Sequence, residues 1–205
     1  MDVLFSECIK DLILNGKIEL DTDFAVAFTI NNYGRIEGCT NKTEVRGISF
    51  AAGIVGINYD SGVIVNCCNE GYIYAETNQG WAAGIAEYSS GVVYACYNKG
   101  TIEGYNAAGI FSMQGNSGNL GVHENCYNVG TIKADYVACG NMIYSSGTEH
   151  YMYNIGKIEG KGYSIGIGED IGGVTNCYTL GKGGLIHINI SGRDSDSVGW
   201  IEDLA

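Results

Sequence analysis

The 205-residue chain has 32 glycines and no proline, yet it is 45% hydrophobic with 15 tyrosines, enough apolar surface to offset the entropy of ordering. Its 11 Lys and Arg against 23 Asp and Glu give a net charge of −12, which repels phosphate backbones and excludes nucleic acid as an expected partner. No apolar run approaches the roughly 18 to 20 residues of a membrane span, so membrane insertion is not expected.

Taken in chain order, the sequence is a repeat. Residues 1–15 carry Asp2, Glu7, Lys10 and Asp11 and do not read as a signal peptide, and Ile9-Lys10-Asp11-Leu12 already sits in repeat register. The unit Leu12-Ile13-Leu14-Asn15-Gly16-Lys17-Ile18 keeps the Gly-x-Ile ending of a motif that becomes clear further on. A weaker copy starts at Cys39, and Cys67-Cys68-Asn69-Glu70-Gly71-Tyr72-Ile73 is a near copy. Cys96-Tyr97-Asn98-Lys99-Gly100-Thr101-Ile102 and Cys126-Tyr127-Asn128-Val129-Gly130-Thr131-Ile132 match throughout. Met152-Tyr153-Asn154-Ile155-Gly156-Lys157-Ile158 changes only the first residue, and a last copy starts at Cys177. First positions 12, 39, 67, 96, 126, 152 and 177 are separated by 27, 28, 29, 30, 26 and 25 residues.

Two further landmarks keep step. Phe50-Ala51-Ala52-Gly53-Ile54, Trp81-Ala82-Ala83-Gly84-Ile85 and Asn106-Ala107-Ala108-Gly109-Ile110 are close copies. Looser ones start at Phe24, Tyr136 and Tyr163, and a Gly-x-Ile/Val unit starts at Gly34, Gly62 and Gly91. Each landmark is a short β-branched, aromatic or small-residue run bounded by Gly, Asn or Ser, which reads as a strand between turns, and none has helical periodicity. The pattern predicts an all-β parallel β-helix, or β-solenoid, of about six to seven coils of roughly 28 residues with three short strands per coil. Residues 1–182 form the solenoid in this reading. Residues 183–205 leave the repeat as a capping strand and tail, with His187-Ile188-Asn189-Ile190 as a last strand and Trp200, Ile201 and Leu204 folding back over the end, before a neighbouring domain of a longer chain.

Stacked coils turn each repeat position into a ladder. Asn69, Asn98, Asn128 and Asn154 are expected to bond from coil to coil, and Gly71, Gly100, Gly130 and Gly156 to occupy a corner requiring positive φ. Cys39, Cys67, Cys96, Cys126 and Cys177 share a position with Met152 and Leu12, which marks a reduced, buried packing thiol rather than a disulfide or metal ligand. No cofactor or metal is expected. If the Cys points inward, Tyr97, Tyr127, Tyr153 and Tyr178 point outward as an aromatic strip that either covers the sheet or contacts ligand.

The pattern Gly-Ile-x-Gly…Gly-x-Ile-x-Asn-Cys-Tyr-Asn-x-Gly-x-Ile, clearest over Ala51 to Ile73 and Asn125 to Ile132, resembles the GLUG-type repeats of bacterial secreted and cell-surface, adhesin-like proteins. The resemblance implies a right-handed solenoid, an extracellular or cell-surface location, and a non-catalytic structural or adhesive segment of a larger protein, with a glycan or host surface protein as partner. The alternative is a carbohydrate-active enzyme, a polysaccharide lyase or glycosidase, on the same scaffold. Its best carboxylate candidates, Asp60, Glu87 and Glu169, lie whole coils apart. An ice-binding face is disfavoured because only Thr101 and Thr131 align, and calcium binding at Asp194-Ser195-Asp196 lacks the repeated nonapeptide.

Overall fold

The computed structural model describes residues 8–114, 121–179 and 198–200. Every element among them is a β-strand, and successive coils pair in parallel to form a β-solenoid of about six turns roughly 28 residues apart. The repeat registers are the pairing registers. Tyr97 lies beside Tyr127 and Tyr127 beside Tyr153, while Ala51, Ala82, Ala107 and Ala138 form one column.

Each coil is more finely divided than its three landmarks predict. The Cys unit breaks into two strands at its Gly, and the Ala-Ala-Gly-Ile unit breaks into two at its own. One coil therefore runs Val63–Val65, Cys68–Asn69, Tyr72–Ala75, Trp81–Ala83 and Ala86–Ser89. The first and last of these runs stack into an 11-stranded sheet, and the middle three into a 16-stranded sheet. Strand Val198–Trp200 pairs in parallel on Cys177–Thr179. The expected strand at 187–190, the polar loop with Asp194 and Asp196, the side chains of Trp200, Ile201 and Leu204, and the 115–120 insertion lie outside the described residues.

The interior holds two apolar columns separated by a spine of amides. One column contains the buried Cys39, Cys67, Cys96, Cys126 and Cys177 with Ile54, Ile64, Ile85 and Met152; the other contains Ile73, Ile102, Ile132 and the alanine column. Leu12, in the same column as the cysteines, is 49% exposed because no described coil covers it. Between the columns Asn41, Asn69, Asn98, Asn128 and Asn154 are all buried. Each donates through Nδ2 to the next coil: to Asn69, Asn98, Asn128 and Asn154 Oδ1 at 2.7 to 2.8 Å, and finally to Thr179 Oγ1 at 3.4 Å. Their Oδ1 atoms also accept from the backbone two residues on, as from Gly100 N to Asn98 at 3.2 Å. A buried amide is tolerated because both its ends are satisfied.

The glycines of the Cys unit follow a different rule from the one the sequence suggests. Gly71, Gly100, Gly130 and Gly156 are not at positive φ, and of the Cys-unit glycines among the described residues only Gly16, in the first coil, is, at 121°. A Cβ on Gly100 would lie 1.9 Å from Gly71 O and 2.7 Å from Asn69 Nδ2, so it is the close approach of the neighbouring coil that excludes a side chain. The left-handed position is instead the residue before the Cys: Asp11, Asn66, Ala95, Asn125, Tyr151 and Asn176 have φ of 53 to 55°, with Gly38 at 64°. Glycine also faces the amide spine from the opposite wall, where a Cβ on Gly109 would meet Asn128 Cβ at 2.8 Å.

One copy is shifted by a residue. Asn106 pairs with Val137 rather than Tyr136, because a bulge after Gly104 sets one residue of that coil against two of the next. Tyr136 therefore joins the corner, and Gly140, not Cys139, aligns with Gly109.

Candidate functional site

The tyrosines predicted as an outer strip do form a row. Tyr127 stacks on Tyr97 at 4.9 Å and on Tyr153 at 4.7 Å, with ring planes within 2° and 4° of parallel. Tyr178 continues the register beside Tyr153 and is 41% exposed. Both faces of Tyr127 are therefore taken by neighbouring rings, and the Lys99 ammonium sits 5.1 Å from the centroid of Tyr97. A hydrogen bond with the Cys68 thiol, then partial burial, pushes the Tyr97 phenol up to about 12, while burial pushes Cys68 up to about 11. Along its length the row offers hydroxyls and ring edges to solvent.

A groove of about 520 Å³ opens on the same 16-stranded sheet, where the third run of each coil turns into the fourth. Its origin is unequal corner length. Residues 76–80 bridge that corner in one coil, only Tyr105 does so in the next, and Asp135-Tyr136 do so in the one after. Beside a long corner, a short one leaves a depression floored by Ala75, Gly104 and Ala134. Its wall is the outward column in which Tyr74 pairs with Glu103, Glu103 with Lys133 and Lys133 with Glu159. Alternation along Tyr72–Ala75 and its equivalents places these side chains outward, while Ile73, Ile102 and Ile132 point inward.

The groove's polar groups are partly ordered already. Tyr72 Oη donates to Glu103 Oε2 at 3.1 Å, Lys161 pairs with Asp135 at 2.6 Å, and Lys157 holds Glu159 below the usual carboxylate range. Lys133 forms no ion pair within 4 Å among the described residues. Tyr105 stacks on Tyr136 at 5.3 Å, is the end ring of that stack, and lines the groove. Apart from Tyr72 and Lys157, which fill the variable position after the motif Gly, these residues lie outside the Cys motif.

A second polar cluster is internal. His123 and Glu149 replace the Ile and Val of one inward column, in register with Ile36, Ile64 and Val93. His123 contacts Glu149 Oε1 at 3.1 Å and Ser89 Oγ at 3.2 Å, and Ser145 donates to the same carboxylate. Both side chains are fully buried and reach no molecule in solution in this conformation.

Of the three carboxylates considered for catalysis, Asp60 lies in a turn and the Glu169 side chain is outside the described residues. Glu87 is 2% exposed, accepts from Ser112 Oγ at 3.1 Å, and has its Oε1 without a partner. Burial pushes its carboxyl up to about 8. Among the described residues, no group of three or more His, Cys, Asp or Glu is placed to hold a metal ion.

No protein-family model matches the chain, and no curated protein is significantly similar to it. A crystal structure from Bacteroides ovatus, provisionally described as an immunoglobulin A1 protease, superposes with a TM-score of 0.48 at 17% identity. The superposition covers 85% of this chain and 58% of the other, so this chain spans a little over half the length of that structure.

Proposed function

We propose that this β-solenoid is a non-catalytic structural and adhesive segment of a larger bacterial surface protein, a rigid spacer that presents a lateral face to glycans or host surface proteins outside the cell. The observation that carries this reading is where the chain's reactive chemistry lies. Its motif amides are bonded coil to coil, its motif thiols are buried, and the His123–Glu149 pair is sealed in the interior. What solvent meets is a continuous parallel sheet bearing the tyrosine row and the groove. Parallel pairing from coil to coil resists bending, which suits a spacer.

The test uses the purified chain coupled to beads. Beads are scored for attachment to immobilised neutral and acidic polysaccharides and host glycoproteins, and the same polysaccharides are assayed for release of new reducing ends and unsaturated products. Attachment without depolymerisation is expected. Depolymerisation by the purified chain would overturn the reading in favour of a lyase or glycosidase.

A further inference from the structure

We propose that the groove over Tyr105 is a binding site for an uncharged pyranose oligosaccharide lying along the solenoid axis. The inference deepens the adhesive reading and rests on it, and it moves the contact from the tyrosine row to the groove.

The two aromatic features differ in what they leave open. A sugar ring packs its C–H face against an aromatic face, as other flat groups do. Tyr127 has neither face free, and Tyr97 stacks on Tyr127 with the Lys99 ammonium 5.1 Å from its centroid. Among the described rings Tyr105 stacks on Tyr136 alone, as Tyr153 does on Tyr127, but Tyr105 also lines a cavity of about 520 Å³, within the usual range for small-molecule sites. Around it stand groups that match hydroxyls. Glu103 and Glu159 are acceptors anchored by Tyr72 and Lys157, and Lys133 is a donor not committed to an ion pair among the described residues. They recur from coil to coil at the strand spacing of about 4.8 Å, close to the length of one pyranose unit in an extended chain. A linear oligosaccharide along the axis would therefore meet one side chain of this column, in turn Tyr74, Glu103, Lys133 and Glu159, at each sugar.

Charge selects among sugars. The groove holds Glu76, Glu103, Asp135 and Glu159 against Lys133 and Lys161, and Lys161 already pairs with Asp135. A uronate or sialate would add like charge to this surplus, whereas a neutral sugar would not.

The test is isothermal titration of the whole chain with cellohexaose, xylohexaose, mannohexaose and chitohexaose, and with hexagalacturonate as the acidic arm. Binding to at least one neutral hexasaccharide and none to hexagalacturonate is expected. Tyr105→Ala should weaken it by roughly tenfold or more, Tyr105→Trp should retain it, and Tyr127→Ala should leave it within about twofold. Unchanged melting of Tyr105→Ala shows that the loss is not unfolding. Failure to bind any neutral member, preference for hexagalacturonate, or binding indifferent to Tyr105→Ala overturns the proposal. If beads still attach to polysaccharide under the last outcome, the adhesive reading stands and only the groove is wrong. If the wild-type chain attaches to nothing, both fail.

Discussion

Asn98 donates from Nδ2 to Asn128 Oδ1 at 2.8 Å while accepting from Asn69 Nδ2 at 2.7 Å, so one side chain joins three consecutive coils through the buried interior. Replacing it with Ala takes the Asn98 acceptor from Asn69 Nδ2 and the Asn98 donor from Asn128 Oδ1, and leaves Asn69 Nδ2 only Gly71 O at 3.3 Å and Gly100 N only Asn69 O at 3.1 Å. Each buried hydrogen bond lost is worth about 0.5 to 1.5 kcal/mol net, so with the bonds to Asn69, Asn128 and Gly100 gone Asn98→Ala is expected to lose about 2 to 4 kcal/mol in urea unfolding. A loss below about 0.5 kcal/mol would show that the spine is incidental.

Two glycine-related substitutions should act in opposite directions. Gly100→Ala places a methyl 1.9 Å from Gly71 O and must push two coils apart, costing several kcal/mol or preventing folding. Ala95, at φ 53°, occupies the left-handed region that penalises a Cβ by about 1 to 2 kcal/mol, so Ala95→Gly is expected to be neutral to stabilising. Thermal melts of the two variants check both signs. Had the Cys-unit glycines been the positive-φ corners, Gly100→Asn would be tolerated; the structure predicts that it is not.

Glu87 gives stability a pH dependence. Its folded carboxyl, pushed up to about 8 by burial, holds a proton that the unfolded carboxyl releases near its ordinary value of about 4.5. The folded state therefore binds more protons between about pH 4.5 and 8, and this group's contribution to stability falls as pH rises through that window. At about 1.4 kcal/mol per unit the difference amounts to a few kcal/mol. Glu87→Gln should flatten the wild-type slope across the window and be the more stable protein at pH 8. Parallel slopes for the two proteins would contradict the placement of Glu87.

The thiols should divide by position. Burial holds Cys96 well above the ordinary thiol range, and Cys39, Cys67, Cys68, Cys126, Cys139 and Cys177 are buried too, whereas Cys8 is exposed. A thiol-disulfide reagent is expected to label Cys8 quickly in native buffer and all eight cysteines in denaturant. Rapid native labelling of most thiols would contradict the packed column.

How far the sequence could be read depended on whether a residue's role was local to the repeat. Cys96 could be placed inward because Met152 and Leu12 share its position, and Asn98 could be placed in a ladder because its copies recur with it. The reason for Gly100 could not be read, since a close approach between coils and a positive φ both demand glycine. The true left-handed position hid behind Asp11, Ala95 and Tyr151, which share no chemistry, although Asn66, Asn125 and Asn176 carried part of the signal. The tyrosine row was visible, and so was the prospect that its rings stack on one another to cover the sheet, as Tyr97, Tyr127 and Tyr153 do. The groove was invisible because it arises from a difference in corner length between neighbouring coils, not from any residue that repeats.

The central claim is that ladder residues hold the solenoid while a separate outer face does the binding. Its most direct test measures melting temperature and polysaccharide attachment together on Asn98→Ala and Tyr105→Ala. The account predicts that Asn98→Ala melts several degrees lower yet still attaches below its melting temperature, while Tyr105→Ala melts with wild type and no longer attaches. Loss of attachment in Asn98→Ala below its melting temperature, or full attachment by Tyr105→Ala, would contradict it.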